Sequence, residues 1–213
     1  MKPKLTIIGE IPTSNDGLID MLQVHWTVEL IAPDKVSRTN QTISGYNVCL
    51  FSGHAKNVAL FETTKIGLAR EDTPISLALG QYETRLGDAE PFEALICTSS
   101  ADGLAAALLN WLPPSMEGAR KIEELFGINI IGPMLVRLRH ELSSAAGNLR
   151  ENRLKPGEAH RIAGLVGTLG FAEANRYWRA LDEGHSSARY DAYRSARTLA
   201  LALSLEKLSS PTY

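Results

Sequence analysis

The sequence predicts a chain in two parts: a layered α/β sandwich, then an all-α antiparallel four-helix bundle. Three observations carry that prediction. Up to Pro113-Pro114, five short apolar runs alternate with helical or turn-rich stretches, and beyond that pair the apolar residues recur at the helical period. The charge changes at the same place: residues 1–117 hold 8 Lys/Arg against 14 Asp/Glu, whereas residues 118–213 hold 14 against 10. Finally, 213 residues with 44% hydrophobic content supply one core for each of two small domains. The expected division is a first domain over 1–113, a linker over 114–118 and a helical domain over 119–213.

The first half is read in order. Leu-Thr-Ile-Ile within Lys4–Gly9 is a short buried strand. Leu18, Ile19 and Leu22 give a helix within Asn15–His25, with Asn15 or Asp16 as its cap. Trp26–Ala32 is a second strand closed by Pro33-Asp34, residues 35–45 are turn-rich, and Tyr46–Phe51 is a third strand ending at Ser52-Gly53. A helix is expected over 54–69, a fourth strand from Thr73-Pro74 to Leu79, and a short helix or loop over 81–91. Glu93–Thr98 is the fifth strand, and Ala101–Leu112 an apolar helix capped by Ser99 or Ser100. Strands separated by crossovers of this length pair in parallel, with helices on both faces.

That order and its span of about 115 residues resemble a response-regulator receiver domain, a flavodoxin-like α/β sandwich. The resemblance implies a Mg²⁺-binding pair of acids after the first strand and a phosphorylatable Asp after the third. It also implies a Ser or Thr after the fourth strand and a Lys after the fifth. Here Glu10 stands alone after Gly9, the third strand ends Phe51-Ser52-Gly53, the fourth ends Gly80-Gln81, and the fifth ends Thr98-Ser99. One carboxylate is a poor start for a hard cation that takes oxygen ligands. The expectation is a pseudo-receiver that neither holds Mg²⁺ nor accepts phosphate.

The second half reads as helices throughout. A short one covers Ala119–Phe126 and ends at Gly127; a long one begins near Gly132-Pro133, with proline in the first turn. Leu135, Leu138, Leu142, Ala145 or Ala146, and Leu149 form its inward stripe. A further helix follows Lys155-Pro156-Gly157. Another runs over Ala172–Leu181 with Tyr177, Trp178 and Leu181 inward, and the last over Ser187–Leu208.

The helix after Gly157 carries the chemistry. Ala159, Ile162, Ala163, Val166 and Leu169 form an apolar stripe, and His160, Gly164 and Gly167 fall at i, i+4 and i+7 beside it. Interior helical glycine costs about 1 kcal/mol relative to alanine, so two of them next to one imidazole argue for access to the ring. Gly170-Phe171 closes the segment.

This row resembles the phosphorylation-site helix of histidine-containing phosphotransfer (HPt) domains: histidine, glycine four residues on, a small residue at the next turn, and a closing glycine. The resemblance covers residues 120–208, and its specific signal is confined to 160–171. It implies a four-helix bundle and a two-component phosphorelay role, with His160 taking a phosphoryl group from one receiver Asp and passing it to another. The chain would then be a phosphocarrier without turnover of its own, partnered by receiver domains of response regulators or hybrid histidine kinases. It would need no cofactor itself, because Mg²⁺ belongs to the partner receiver. Many members carry lysine three residues after the histidine, where this chain has Ala163; Arg161 is the adjacent cation expected to offset phosphate charge. Gly164, Leu165, Gly167 and Gly170 form the expected docking patch.

Other candidates are weaker. His140-Glu141-Leu142 is a faint echo of a kinase phosphoacceptor box without the residues that follow it, and no ATP-binding domain fits in the 64 residues after Leu149. His25, His54 and His185 lack companion spacing, and Ser52 has no nucleophile elbow. Cys49 and Cys97 lie in apolar runs and read as buried free thiols of a reducing compartment. No signal peptide or membrane-length apolar run is present, which makes cytoplasm the expected location. The arginines of the second half are interleaved with glutamates and match no nucleic-acid motif. Two other function classes stay open: a non-phosphorylated adaptor built on the helices, and a small-molecule sensor in the α/β half.

Overall fold

The computed structural model describes residues 2–9, 17–32, 47–52, 74–80, 92–98 and 100–206. The helix expected over 54–69, the segments 35–45 and 81–91, the caps Asn15, Asp16 and Ser99, and Glu10 and His54 all lie outside them. The chain divides into two compact units, Met1–Leu112 and Pro113–Tyr213.

Among the described residues the first unit has strands β1 (Lys4–Ile8), β2 (Thr27–Ile31), β3 (Val48–Ser52), β4 (Ile75–Gly80) and β5 (Ala94–Cys97). All pairings are parallel, in the order β2-β1-β3-β4-β5. That order is compatible with the flavodoxin-like part of the expectation. The central strand β3 is buried along its whole length, as a strand covered on both faces must be. Alternation sends Ile8, Cys49, Phe51 and Ala78 to one face, where Phe92 joins them, and the Phe51 and Phe92 rings meet as a tilted pair with centroids 5.3 Å apart. Leu5, Ile7, Leu50 and Leu77 are buried on the other face. Helix α1 (Leu18–Gln23) lies beside β2 and α2 (Ala101–Leu109). Ser100 caps α2, its hydroxyl accepting from the Gly103 amide at 3.1 Å.

Cys97 corrects one expectation. It ends the edge strand β5 and is exposed, whereas Cys49 is buried in central β3, where desolvation pushes its thiol up to about 12. In the native protein at pH 8, a thiol reagent is expected to modify Cys97 within minutes, with Cys49 reacting only after denaturation. Rapid reaction of two thiols under native conditions would contradict the buried placement of Cys49.

The second unit is α3 (Glu117–Phe126), α4 (Ile128–Arg150), α5 (Glu158–Thr168), α6 (Ala172–Asp182) and α7 (Ala188–Leu205). Here the expected C-terminal antiparallel four-helix bundle is overturned. The described residues form a five-stranded all-parallel sheet with seven helices, an α/β fold, and the helical unit builds one core from five helices of unequal length. Helices α5 and α6 have 11 residues each, about 16 Å, beside neighbours of 23 and 18 residues. Met116 and Ala119, at the start of α3, are buried in the same core as Leu138, Ile162, Trp178 and Leu199. The linker therefore ends earlier than expected, since Glu117 and Gly118 are already helical. Helix α4 also starts earlier: Gly127, at φ +85, opens it, and Pro133 sits in its second turn.

Three helix ends share one device. Asn152, Gly170 and Gly184 have positive φ, and the amide of the next residue reaches back to the third-from-last helical carbonyl: Arg153 to Asn148, Phe171 to Val166, His185 to Ala180. These caps fix where α4, α5 and α6 stop. No described helix is long and apolar enough to cross a membrane.

Candidate functional site

His160 occupies the first turn of α5, and its side chain is 80% exposed. The α5 start is fixed from below. Glu158 is buried, and its carboxylate accepts from the Lys155 amide at 3.1 Å and from the Asn148 side chain at 3.3 Å. Ile162, Ala163, Val166 and Leu169 then bury the opposite face in the core. The imidazole is thereby held at the surface by a helix that cannot rotate without exposing its stripe.

Among the described residues the ring has one protein partner, and it comes from the next helix. His160 Nδ1 lies 2.9 Å from Asp182 Oδ2. A carboxylate accepts, so Nδ1 carries the hydrogen and donates it, and in the neutral ring that tautomer leaves the lone pair on Nε2. Asp182 is the last residue of α6, just before the Gly184 cap, so the backbone that carries the carboxylate is itself pinned. Because α5 begins where α6 ends, the ring lies between the positive end of one helix and the negative end of the other.

The glycine row does three different things. A Cβ placed on Gly164 meets nothing within 4 Å, so the surface one turn from His160 is open. A Cβ on Gly167 would stand 2.7 Å from the Asn175 amide nitrogen, which donates to the Ala163 carbonyl at 2.6 Å and ties α6 to α5. Gly170 has φ +83, and its Cβ would stand 2.9 Å from the carbonyl carbon of Gly118. Access belongs to Gly164; Gly167 seats a neighbouring side chain, and Gly170 caps the helix and lets α3 approach.

Leu165 is half-buried against the core. Arg161, expected beside the phosphate, instead lies 2.6 Å from Glu141 on α4, whose same oxygen accepts from Arg137 Nε at 2.9 Å. Its charge is engaged with α4, whereas Asp182 stands on α6. His140 is exposed on α4. No cluster of three or more His, Cys, Asp or Glu suited to a metal occurs among the described residues. No family model matches the chain, and neither a curated protein nor a solved structure does.

Proposed function

We propose that the second unit is a histidine phosphocarrier, with His160 as the acceptor of a phosphoryl group from a receiver aspartate and its donor to another. The observation that carries this reading is an exposed imidazole whose Nδ1 is held by Asp182, one helical turn from the open surface at Gly164.

The chemistry needs little more. The Nε2 lone pair attacks phosphorus in line, the N–P bond forms, and the acyl-phosphate P–O bond breaks with its electron pair returning to the partner's carboxylate. No proton has to leave Nε2, because the hydrogen is on Nδ1. The ring becomes cationic as the bond forms, and Asp182 at the end of α6 offsets that charge. Mg²⁺ on the partner receiver would neutralise the phosphoryl oxygens. Return transfer to a second receiver reverses each bond change.

The test is transfer of radiolabelled phosphate from a phosphorylated receiver, or a kinase–receiver pair, to the purified full-length protein. Acid-labile label is expected on wild type and His140→Gln and absent from His160→Gln. Asp182→Asn is expected to slow transfer about tenfold, the size of one charge-assisted hydrogen bond. Label that survives in His160→Gln and disappears in His140→Gln would move the site to α4. A panel of donors that leaves wild type unlabelled would favour the second reading, a non-phosphorylated adaptor. One observation speaks for that reading: Leu125, Phe126, Ile130 and Val136 are exposed around the α3–α4 junction, a set of apolar side chains suited to a protein partner.

A further inference from the structure

We infer that Arg179 is the cation that receives the phosphoryl group on His160, in place of Arg161. The inference rests on the phosphocarrier reading and assigns a residue which that reading leaves open.

The helix register places it. His160 meets Asp182, while Ala163 and Gly167 meet Asn175, so α5 and α6 run antiparallel with these residues facing across the groove. Arg179 follows Asn175 by four residues and precedes Asp182 by three, which puts it on the same side of α6 and between them. Along the axis it stands about 4.5 Å from the level of Asp182 and about 6 Å from that of Asn175. By that count it stands level with Ala163, one residue or about 1.5 Å before Gly164, the position on α5 where an added Cβ meets nothing. A long, exposed side chain ending in a guanidinium is therefore carried on the His160 side of α6, within a turn of the open surface at Gly164.

Charge accounting leads to the same residue. Arg161 and Arg137 share Glu141, and the remaining described cations of the helical unit have partners, apart from Arg179 and Lys155. Lys155 is placed less well: its backbone is tied to Glu158, which lies two residues before His160 and so on nearly the opposite side of α5. Arg179 is thus the free cation on the groove side. Its planar fork matches two phosphoryl oxygens at once, a geometry that an ammonium does not offer. An ordinary alternative is that Arg179 only complements the negative end of α6, in whose last turn it lies.

The two roles separate with a small phosphoryl donor, which removes any dependence on a partner protein. Phosphoramidate transfers its phosphoryl group as Nε2 bonds to phosphorus and ammonia leaves with the electron pair of the old P–N bond. Phosphohistidine formation on the full chain is followed by ³¹P NMR, with His160→Gln identifying the signal. Arg179→Ala is expected to slow formation about tenfold, the size of one charge-assisted contact. Arg179→Lys should recover only part of that loss, since an ammonium keeps the charge without the fork, and Arg161→Ala and Lys155→Ala should stay within about twofold of wild type, as cations that make no such contact. A wild-type rate in Arg179→Ala, or a larger loss in either control, overturns the assignment to Arg179 while leaving His160 in place. Wild type that gives no signal beyond that of His160→Gln removes the phosphocarrier reading and the role of Arg179 with it.

Discussion

On the proposed phosphocarrier reading, Gly164→Phe is expected to slow phosphoryl transfer to His160 about a hundredfold with the fold retained, whereas Gly164→Ala is expected to stabilise the protein. A Cβ at this position meets nothing within 4 Å, and the residue is exposed in the middle of α5. Alanine there should therefore add about 0.5–1 kcal/mol through helix propensity alone. The chain forgoes that stability at a place where its own packing asks for nothing small. On the phosphocarrier reading, the close approach of a donor supplies the reason. A phenyl ring over the same surface would hold the donor phosphorus away from Nε2, and misplacement by about 1 Å already costs about a hundredfold in rate. Thermal unfolding and single-turnover labelling of the two variants separate the effects. Gly164→Phe that labels at the wild-type rate would remove the access argument, and Gly164→Ala that is less stable than wild type would mean that the glycine has a packing role after all.

Much of the first unit was legible because its signals are local. The strands expected at Lys4–Gly9, Trp26–Ala32 and Glu93–Thr98 appear as Lys4–Ile8, Thr27–Ile31 and Ala94–Cys97. In each case a short apolar run bounded by Gly, Pro or Ser fixes the period and the ends. The exposure of Cys97 was not legible, because its apolar neighbours are the same whether a strand is central or at an edge, and only the pairing order decides that. In the second unit, periodicity told which side chains turn inward but not how many helices meet. The short helix at the start of the second unit falls outside a four-helix count in sequence, yet Met116 and Ala119 are buried with the rest. A local cue also misplaced the start of α4: proline favours a first turn, but Gly127 at φ +85 lets Ile128–Ile131 wind first, with Ile131 buried.

The candidate site divides along the same line. His160, Gly164 and Gly167 share one helix, so their row follows from spacing alone. Asp182 follows His160 by 22 residues in an unremarkable Leu-Asp-Glu-Gly, and nothing in that run marks which carboxylate faces the ring. Glu141 is equally silent, and without it Arg161 reads as free. One sequence pattern also covered three causes, because a glycine that opens a surface, one that seats Asn175 and one that crosses another backbone look the same in one dimension.

Gly170→Ala is expected to lower stability by about 2–4 kcal/mol, the largest loss of any glycine substitution in the row. Two independent penalties meet there. The left-handed φ of +83 costs an L-residue about 1–2 kcal/mol. The new methyl also lands 2.9 Å from the Gly118 carbonyl carbon and 3.2 Å from its Cα and oxygen, and these are backbone atoms with no rotamer to escape into. Gly118→Ala presses on the same contact from the other side, its Cβ standing 2.7 Å from the Gly170 oxygen. Once α3 has been pushed away by either change, the second has less left to break, so the double variant should lose less than the sum of the singles. Urea unfolding of the four proteins measures this coupling. A loss below about 1 kcal/mol in Gly170→Ala would mean that the α5 cap relaxes freely. Additive losses would mean that the two glycines do not share one contact, and that α3 is held to α5 by Met116 and Ala119 alone.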